Sequence, residues 1–299
     1  MSQPEFGSYY GRPVIKEPTW EARDIAGYLF LGGLAGASSI LGAGADLTRR
    51  PALARSAKVS ALGAISLSLA ALVHDLGRPA RFLNMLRVAK PTSPMSMGSW
   101  LLAGYGPLAG AAAASDVTGL LPRLGRTASI GAGVLGSGVA SYTSVLIADT
   151  AVPAWHECRR ELPFVFVGSS AAAAGGMALL AAPAHETAPA RRSAIGGAVL
   201  ELAATETMER RAGLVGETFH HGRAGTLLRA AKVLTTVGAL GAALSRRIRL
   251  AAPVSGLALL AGSACTRFGI FEAGRASARD PKYTVVPQRE RRDAPASQG

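Results

Sequence analysis

Charged residues are scarce in this chain, at 17% of 299 residues, whereas hydrophobic residues make up 49%. A water-soluble domain carries roughly a quarter charged residues. The charges that are present stand in short clusters, and long charge-free stretches rich in Gly and Ala separate them. Because a membrane-spanning helix needs about 20 predominantly apolar residues, this pattern excludes an ordinary soluble domain and predicts an all-α integral membrane protein.

Cysteine is scarcer still, with only Cys158 and Cys265. Neither belongs to a CxxC or CxxCH pattern, the spacings typical of iron–sulfur ligands and of covalently attached haem. We therefore expect this chain to bind no metal and no haem. Residues 1–24 are polar and mixed in charge, without a short apolar stretch and a small-residue cleavage site, so no removable signal peptide is expected there.

Lys and Arg exceed Asp and Glu, giving a formal net charge of +13. Such an excess is compatible with nucleic-acid binding. Here, however, the basic residues stand at the ends of the apolar stretches, where snorkelling and topology-setting residues of membrane proteins occur. The expected partner of this chain is therefore a lipid bilayer and not nucleic acid.

Eight apolar runs follow one another along the chain. Runs six and seven are the weakest, because the former contains Glu201 and Glu206 and the latter contains Arg229 and Lys232. A six-span alternative therefore stays open beside the eight-span prediction. The runs cover approximately residues 25–45, 57–74, 97–115, 127–148, 162–182, 193–208, 227–245 and 250–270.

These runs predict three regions. The first is an N-terminal extramembrane segment, the second an eight-helix transmembrane domain, and the third a polar C-terminal tail. A weak internal repeat, in which the run-one segment around Tyr28 resembles the run-five segment around Phe164, divides the transmembrane domain into two halves. Chance similarity between Gly- and Ala-rich segments is the alternative explanation. The expected bounds are 1–24, 25–270 with halves of about 25–148 and 162–270, and 271–299.

The connections between the runs differ in length and charge. Those at 46–56, 116–126, 183–192 and 246–249 are short, rich in arginine and poor in acidic residues. By the positive-inside rule these loops are cytoplasmic, and both termini are then extracytoplasmic. The basic 75–96 loop and the basic tail argue for the opposite orientation.

The end of run two carries the most informative polar motif, His74-Asp-Leu-Gly-Arg-Pro-Ala-Arg-Phe-Leu-Asn84. Gly77 and Pro79 are expected to end the helix, and Arg78 and Arg81 are placed to pair with Asp75. Ionisable groups at a membrane boundary are costly unless paired, and a carboxylate beside a histidine there suits proton exchange with a hydroquinone. The structural alternative is a salt bridge that anchors the loop among the lipid head groups.

Two further stretches lie near the same face as His74. Residues 94–100 read Pro-Met-Ser-Met-Gly-Ser-Trp, with a proline suited to a helix start and Trp100 suited to an interfacial anchor. Tyr142-Thr-Ser lies near the end of run four, and Pro153-Ala-Trp155 follows shortly after the run. The Tyr142 hydroxyl would lie inside the membrane, where it could donate a hydrogen bond to a quinone carbonyl. An interfacial belt of Tyr and Trp explains the same positions equally well.

Together the three stretches resemble the NrfD/PsrC family of polysulfide-reductase-type membrane subunits. Those proteins carry Asp-Leu-Gly-Arg-Pro-x-Arg-Phe after helix two, Pro-Met-Ser-x-Gly-Ser-Trp at the start of helix three, and Tyr-Thr-Gly with Pro-x-Trp around helix four. Here the motifs occupy 75–82, 94–100 and 142–155, with Ser144 in place of the glycine. Some relatives have Asn and His at the start of helix one, where this chain has Glu21 and Asp24.

The resemblance implies eight helices in two four-helix bundles in the cell (inner or cytoplasmic) membrane, with a menaquinone or ubiquinone site near the extracytoplasmic face. It also implies a ferredoxin-like iron–sulfur partner and a catalytic subunit, often a molybdopterin enzyme, so this chain would not hold the catalytic centre. Asp75 and Tyr142 are then the main candidates for quinone binding and proton transfer, and His74, Arg78 and Trp100 support them.

Other polar residues carry weaker predictions. Glu201, in the middle of run six, is a candidate for a proton path, and pairing with Arg229 or Lys232 is the structural alternative. His156 and Cys158 are interpreted as surface loop residues.

Two other functions remain open. A proton-coupled or substrate-translocating transporter would suit the polar residues of runs six and seven and the repeat, although transporters often contain Gly- or Pro-broken helices. A purely structural anchor without quinone is the third possibility.

Overall fold

The computed structural model describes residues 14–293 except 19, 77, 79, 80 and 249, and for residues 82, 83 and 291–293 it describes the backbone alone. Gly77 and Pro79, which were expected to end the second helix, lie outside the described residues, as does most of the N-terminal segment. The described chain is helical and contains no β-strand, which confirms the all-α prediction.

Long helices dominate the chain, and short helices connect them. Several begin with proline at the first or second position, as at Pro51, Pro94, Pro122 and Pro153. Proline has no N–H to leave unpaired in the first turn, and its fixed φ suits a helix start. The helices are α1 Ala22–Leu47, α2 Pro51–Asp75, α3 Arg81–Met85, α4 Pro94–Thr118, α5 Pro122–Ala148, α6 Pro153–Glu157, α7 Leu162–Ala181, α8 Ala188–Arg211, α9 Glu217–His220, α10 Gly222–Leu244, α11 Ala251–Arg279 and α12 Lys282–Asp293.

Six of the helices within the described residues are long and apolar enough to cross a membrane, namely α1, α2, α5, α7, α10 and α11. The doubt about run seven was therefore misplaced, because α10 is one of the six. Helix α8 falls outside this set because of its charged residues, as the weakness of run six predicted. Helix α4 also falls outside it, since its first half is rich in Gly, Ser and Pro.

The long helices pack in a regular order. Helix α1 packs against α2 and α5, and α4 packs against the same two helices. Helix α7 packs against α8 and α11, and α10 packs against those two. Contacts of α1 with α7 and α11, and of α5 with α7, join the two sets. Gly36 and Gly136 allow α1 and α5 to touch, because a Cβ on either glycine would collide with the backbone of the other helix.

The C-terminal part is more extensively packed than its polar sequence suggests. Run eight, expected to end near residue 270, continues as helix to Arg279. Arg275 and Arg279 both bind Glu17, with N–O distances of 2.9 Å and 2.7 Å. These two hydrogen bonds hold the pKa of Glu17 below its usual value. The end of α11 thus fastens the segment that precedes α1.

Candidate functional site

A cavity of about 180 Å³ lies where α1, α2, α4 and α5 meet, near the ends of α2 and α5. Its walls are mostly apolar, with leucine, isoleucine and methionine side chains. Five residues with polar groups also line it, namely Trp20, Tyr28, Asp75, Ser99 and Tyr142. The structure therefore brings Asp75 and Tyr142, the two main candidates from the sequence, to one cavity.

Asp75 is the last residue of α2, and its neighbour His74 turns towards the start of α1. The Nδ1 atom of His74 lies 2.7 Å from the Asp24 Oδ2 atom. Asp24 is buried, whereas the His74 side chain is 76% exposed. The Asp75 carboxyl lies beside the Glu21 backbone, from which it accepts a hydrogen bond, and near the Asp24 carboxylate. The start of α1, where the sequence departs from some relatives, therefore supplies the groups that surround the His74-Asp75 pair.

Tyr142 stands in the last two turns of α5. Its hydroxyl is buried and has no hydrogen-bond partner among the described residues. Since buried hydroxyl groups are normally hydrogen-bonded, the Tyr142 hydroxyl is available to bond a ligand or a water molecule in the cavity.

Gly98 sets the position of the Tyr142 ring. A Cβ at Gly98 would collide with the edge of that ring, so the glycine allows α4 and the tyrosine to pack in direct contact. The next residue, Ser99, is 3% exposed, and its hydroxyl donates to the Met95 carbonyl at 2.9 Å. The Pro94–Trp100 motif and the Tyr142 motif are therefore parts of one packed unit.

Arg78 and Trp100 do not line the cavity. Arg78 is exposed, and Trp100 is 46% exposed with its Nε1 atom 3.4 Å from the Val88 carbonyl. Neither Arg78 nor Arg81 forms an ion pair with Asp75 within the described part of the chain. Arg81 instead donates to the Leu76 carbonyl at 3.2 Å. The expected Asp75–arginine pairing is thus wrong here, because the carboxyl is oriented towards α1.

Three lining or packing residues escaped the sequence reasoning: Trp20, Tyr28 and Gly98. Gly98 belongs to the 94–100 motif, but that motif predicts only a helix start at its proline and an interfacial position for Trp100. Tyr28 was noted for the internal repeat alone. Trp20 lies in a polar segment without any motif, and only its aromatic character could have indicated it.

Trp155 is fully buried and is not part of an interfacial belt. Its Nε1 atom donates to the Ile270 carbonyl at 2.8 Å, and its ring packs against Phe271 and directly on Gly274. The Pro153–Trp155 motif therefore anchors α6 to α11.

Cys158, which follows, is also buried, so the surface prediction for it is wrong. Burial, together with nearby Glu161 and Glu157, raises the pKa of this thiol to about 12, whereas His156 is exposed as expected.

A second buried polar cluster lies among α7, α8, α10 and α11. Glu201 accepts hydrogen bonds from Thr266 at 2.5 Å and from Thr235 at 3.4 Å. Arg267 is fully buried nearby, with its guanidinium 3.8 Å from the centre of the Phe166 ring. Pairing of Glu201 with Arg229 or Lys232, the structural alternative to a proton path, does not occur among the described residues.

The partners of Arg267 and Lys232 explain this arrangement. The Arg267 Nη2 atom donates to the Phe166 carbonyl and to the Ser170 hydroxyl. Its Nε and Nη1 atoms have no hydrogen-bond partner among the described residues. Lys232 forms an ion pair with Glu209, near the end of α8, at 2.7 Å. Glu201 therefore accepts hydrogen bonds from Thr266 and Thr235 and not from Lys232.

A larger cavity of about 920 Å³ lies between α2 and α7. Its walls are almost entirely apolar, and Arg55 and Asp116 stand at one end, 3.3 Å apart. Their mutual pairing leaves no ionisable group of this groove prepared for proton transfer. The larger volume of this cavity therefore does not make it the functional site. The smaller cavity, which contains Asp75 and Tyr142, is the better candidate.

Comparison with protein families gives a match over the N-terminal part of the chain. The model described as "Polysulphide reductase, NrfD" matches residues 18–195, more than half of the chain. The matched part contains Trp20, Asp75, Gly98 and Tyr142, and thus the cavity as a whole. No curated protein matches the chain.

Proposed function

The chain belongs to the NrfD polysulphide reductase family, and from this premise we propose that it is the quinone-binding membrane subunit of a respiratory oxidoreductase complex. Membership makes the chain a multi-pass membrane subunit of polysulfide or related respiratory reductase complexes. The finer proposal is that electrons pass between the quinone pool and an iron–sulfur partner, while this chain supplies the quinone site.

The observation that carries this proposal is the pair formed by Asp75 and Tyr142 in one apolar cavity. Oxidation of a hydroquinone releases two electrons and two protons. The Tyr142 hydroxyl can donate a hydrogen bond to a quinone oxygen, and the Asp75 carboxyl can accept or return the two protons one after the other, exchanging each with the membrane surface. His74, held by Asp24 and exposed on its outer side, connects this site to the membrane surface.

The size of the cavity supports a head-group site. Its volume of about 180 Å³ is smaller than the roughly 300–1,000 Å³ of a typical site for a drug-sized ligand. A quinone places only its ring in such a space, because its isoprenoid tail remains in the lipid. The apolar leucine, isoleucine and methionine walls suit the ring, whose strongest hydrogen-bonding atoms are its two carbonyl oxygens.

We also propose that all eight long helices span the membrane in two four-helix bundles. Helices α4 and α8 have 25 and 24 residues, which at 1.5 Å per residue gives lengths of about 36–38 Å. This exceeds the hydrocarbon core of about 30 Å. Each helix packs between two helices that are apolar enough to cross a membrane, so its buried polar residues, such as Tyr105 of α4 and Glu201 of α8, have protein neighbours instead of lipid. The closed packing orders α1–α2–α4–α5 and α7–α8–α10–α11 support the two bundles.

The orientation follows from the arginine-rich loops. With 46–56, 116–126 and 183–192 on the cytoplasmic side, the Asp75 cavity opens towards the extracytoplasmic side, where the termini also lie. We propose that the iron–sulfur partner docks on this side, above the cavity, since electrons must reach the quinone from the partner's cluster.

Purification of the tagged chain from its native membrane tests the proposed complex. We expect an iron–sulfur protein to copurify and organic extraction of the sample to release a menaquinone or a ubiquinone. A chain that purifies alone, without quinone, and that moves a solute into proteoliposomes would contradict the proposal and favour a transporter.

Replacement of Gly98 tests whether the close packing of α4 on the Tyr142 ring positions the Tyr142 hydroxyl for quinone turnover. In Gly98→Ala the new methyl group would collide with the Tyr142 ring and displace its hydroxyl, and we expect quinone-linked turnover to fall by about tenfold or more. Gly106→Ala in the same helix is the matched control, because a Cβ there meets no atom within 4 Å. Equal turnover in the two variants would show that the Tyr142 position does not matter.

A further inference from the structure

Trp20 contributes an aromatic wall to the Asp75 cavity from outside the four helices that enclose it. It stands just before α1 and lines the cavity together with Tyr28, Leu72 and Ile147. The indole is the largest ring in this lining. The single rings of Tyr28 and Tyr142 also line the cavity, but among its described lining residues Trp20 alone supplies a fused two-ring surface, since Trp100 lies outside the cavity.

Contacts with the second helix set fix this indole in place. Trp20 stacks on Trp155, with ring centroids 6.3 Å apart and an angle of 15° between the planes. Trp155 is itself held by its hydrogen bond to Ile270. On the other side, Glu17 is clamped by Arg275 and Arg279. Because the supports on both sides of Trp20 belong to α11 or rest on it, its ring is held in place before any ligand arrives.

We propose that Trp20 determines which quinone the site prefers, and that it favours the fused two-ring head group of a naphthoquinone over the single ring of a benzoquinone. This inference rests on the proposed quinone function. Aromatic rings attract one another in offset-stacked or edge-to-face arrangements, and a two-ring head group presents more aromatic area to the indole. Trp155 stacks on the Trp20 indole, and other atoms of Trp20 line the cavity.

The remaining walls reinforce this selection. Leu72, Leu102 and Ile147 close a cavity of only about 180 Å³. A flat fused ring fits beside an indole in such a space, whereas the methoxy groups of a ubiquinone-type ring add thickness and bring oxygen atoms against apolar walls. Polar oxygens buried without a hydrogen bond cost binding free energy.

Binding measurements with two matched probes test the inference. The purified chain in nanodiscs is titrated by calorimetry with a naphthoquinone and a dimethoxybenzoquinone that carry the same decyl tail. For the unmodified chain we expect the Kd of the naphthoquinone to be about tenfold lower. Trp20→Leu should reduce this ratio to about one, and Trp20→Phe, which keeps a single ring, should give an intermediate ratio. Trp100→Leu is the matched control and should keep the ratio of the unmodified chain.

The outcomes separate the two proposals. An unchanged ratio in Trp20→Leu, or an unmodified chain that binds both probes equally or prefers the benzoquinone, overturns the role of Trp20 and leaves quinone binding intact. Failure of the unmodified chain to bind either probe overturns the proposed function itself. If Trp20→Leu does not fold, which its thermal unfolding curve would show, the ratio in Trp20→Phe decides: a value equal to that of the unmodified chain overturns the inference.

Discussion

Asp75→Asn is expected to lower quinone-linked electron transfer by about a hundredfold or more while leaving the complex assembled. The amide keeps the shape of the side chain and can still occupy the end of α2 beside Glu21. It cannot accept or return a proton, so each hydroquinone oxidised or quinone reduced at the site would lack its proton partner. Turnover of a short-chain quinol by the purified complex is the measurement.

Asp149→Asn is the matched control for this variant. Asp149 is an exposed carboxylate that follows α5 on the same side of the molecule, and it does not line the cavity. We expect its turnover to stay within about twofold of the unmodified complex, as is usual for an exposed substitution. Normal turnover in Asp75→Asn, with the partner subunits still bound, would remove Asp75 from the site.

Glu201→Leu is expected to destabilise the chain by about 3–5 kcal/mol, because the fully buried Arg267 guanidinium, which forms no direct ion pair among the described residues, would lose the electrostatic attraction of the nearby Glu201 carboxyl. Two of the guanidinium nitrogens already lack hydrogen-bond partners among the described residues. The double variant Glu201→Leu/Arg267→Met removes both charges, and we expect it to recover most of the lost stability. The free energy of unfolding in detergent micelles is the measurement.

Glu206→Leu provides the control on the same helix. The Glu206 side chain is 51% exposed and forms an i,i+4 pair with Arg210, so its loss should cost less than about 1 kcal/mol. A Glu201→Leu variant as stable as Glu206→Leu would show that Arg267 does not depend on this carboxylate. The stabilised double variant also tests the predicted proton path: a fall in its quinone turnover would favour that role, and unchanged turnover would make Glu201 structural.

The sequence predicted the cavity well where motifs lie at helix ends. Asp75 ends α2 and Tyr142 lies near the end of α5, so the helix order and span length alone place both on one side of the membrane. The residue types then indicate the chemistry. Because these positions follow from local sequence and from the predicted reversal of chain direction in runs three and four, no long-range contact had to be known.

The remaining features depend on contacts between residues distant in sequence. Trp20 reaches the cavity because Trp155, Arg275 and Arg279 hold its segment, and no local pattern encodes those pairings. A lysine or an arginine of run seven was one possible partner of Glu201, but its observed partners Thr266 and Thr235 carry no charge that a sequence pattern would indicate. The collision that makes Gly98 necessary is likewise visible only once α4 and α5 are packed.

The most direct test of the central claim is to find where a quinone binds. The purified complex is labelled with a photoreactive azidoquinone, and the labelled peptides are identified by mass spectrometry. We predict label near the start of α4 and the end of α5, around Gly98 and Tyr142, and loss of that label when unmodified quinone competes. Competable label confined to the larger groove, at residues 51–67 and 177–183, would contradict the proposed site.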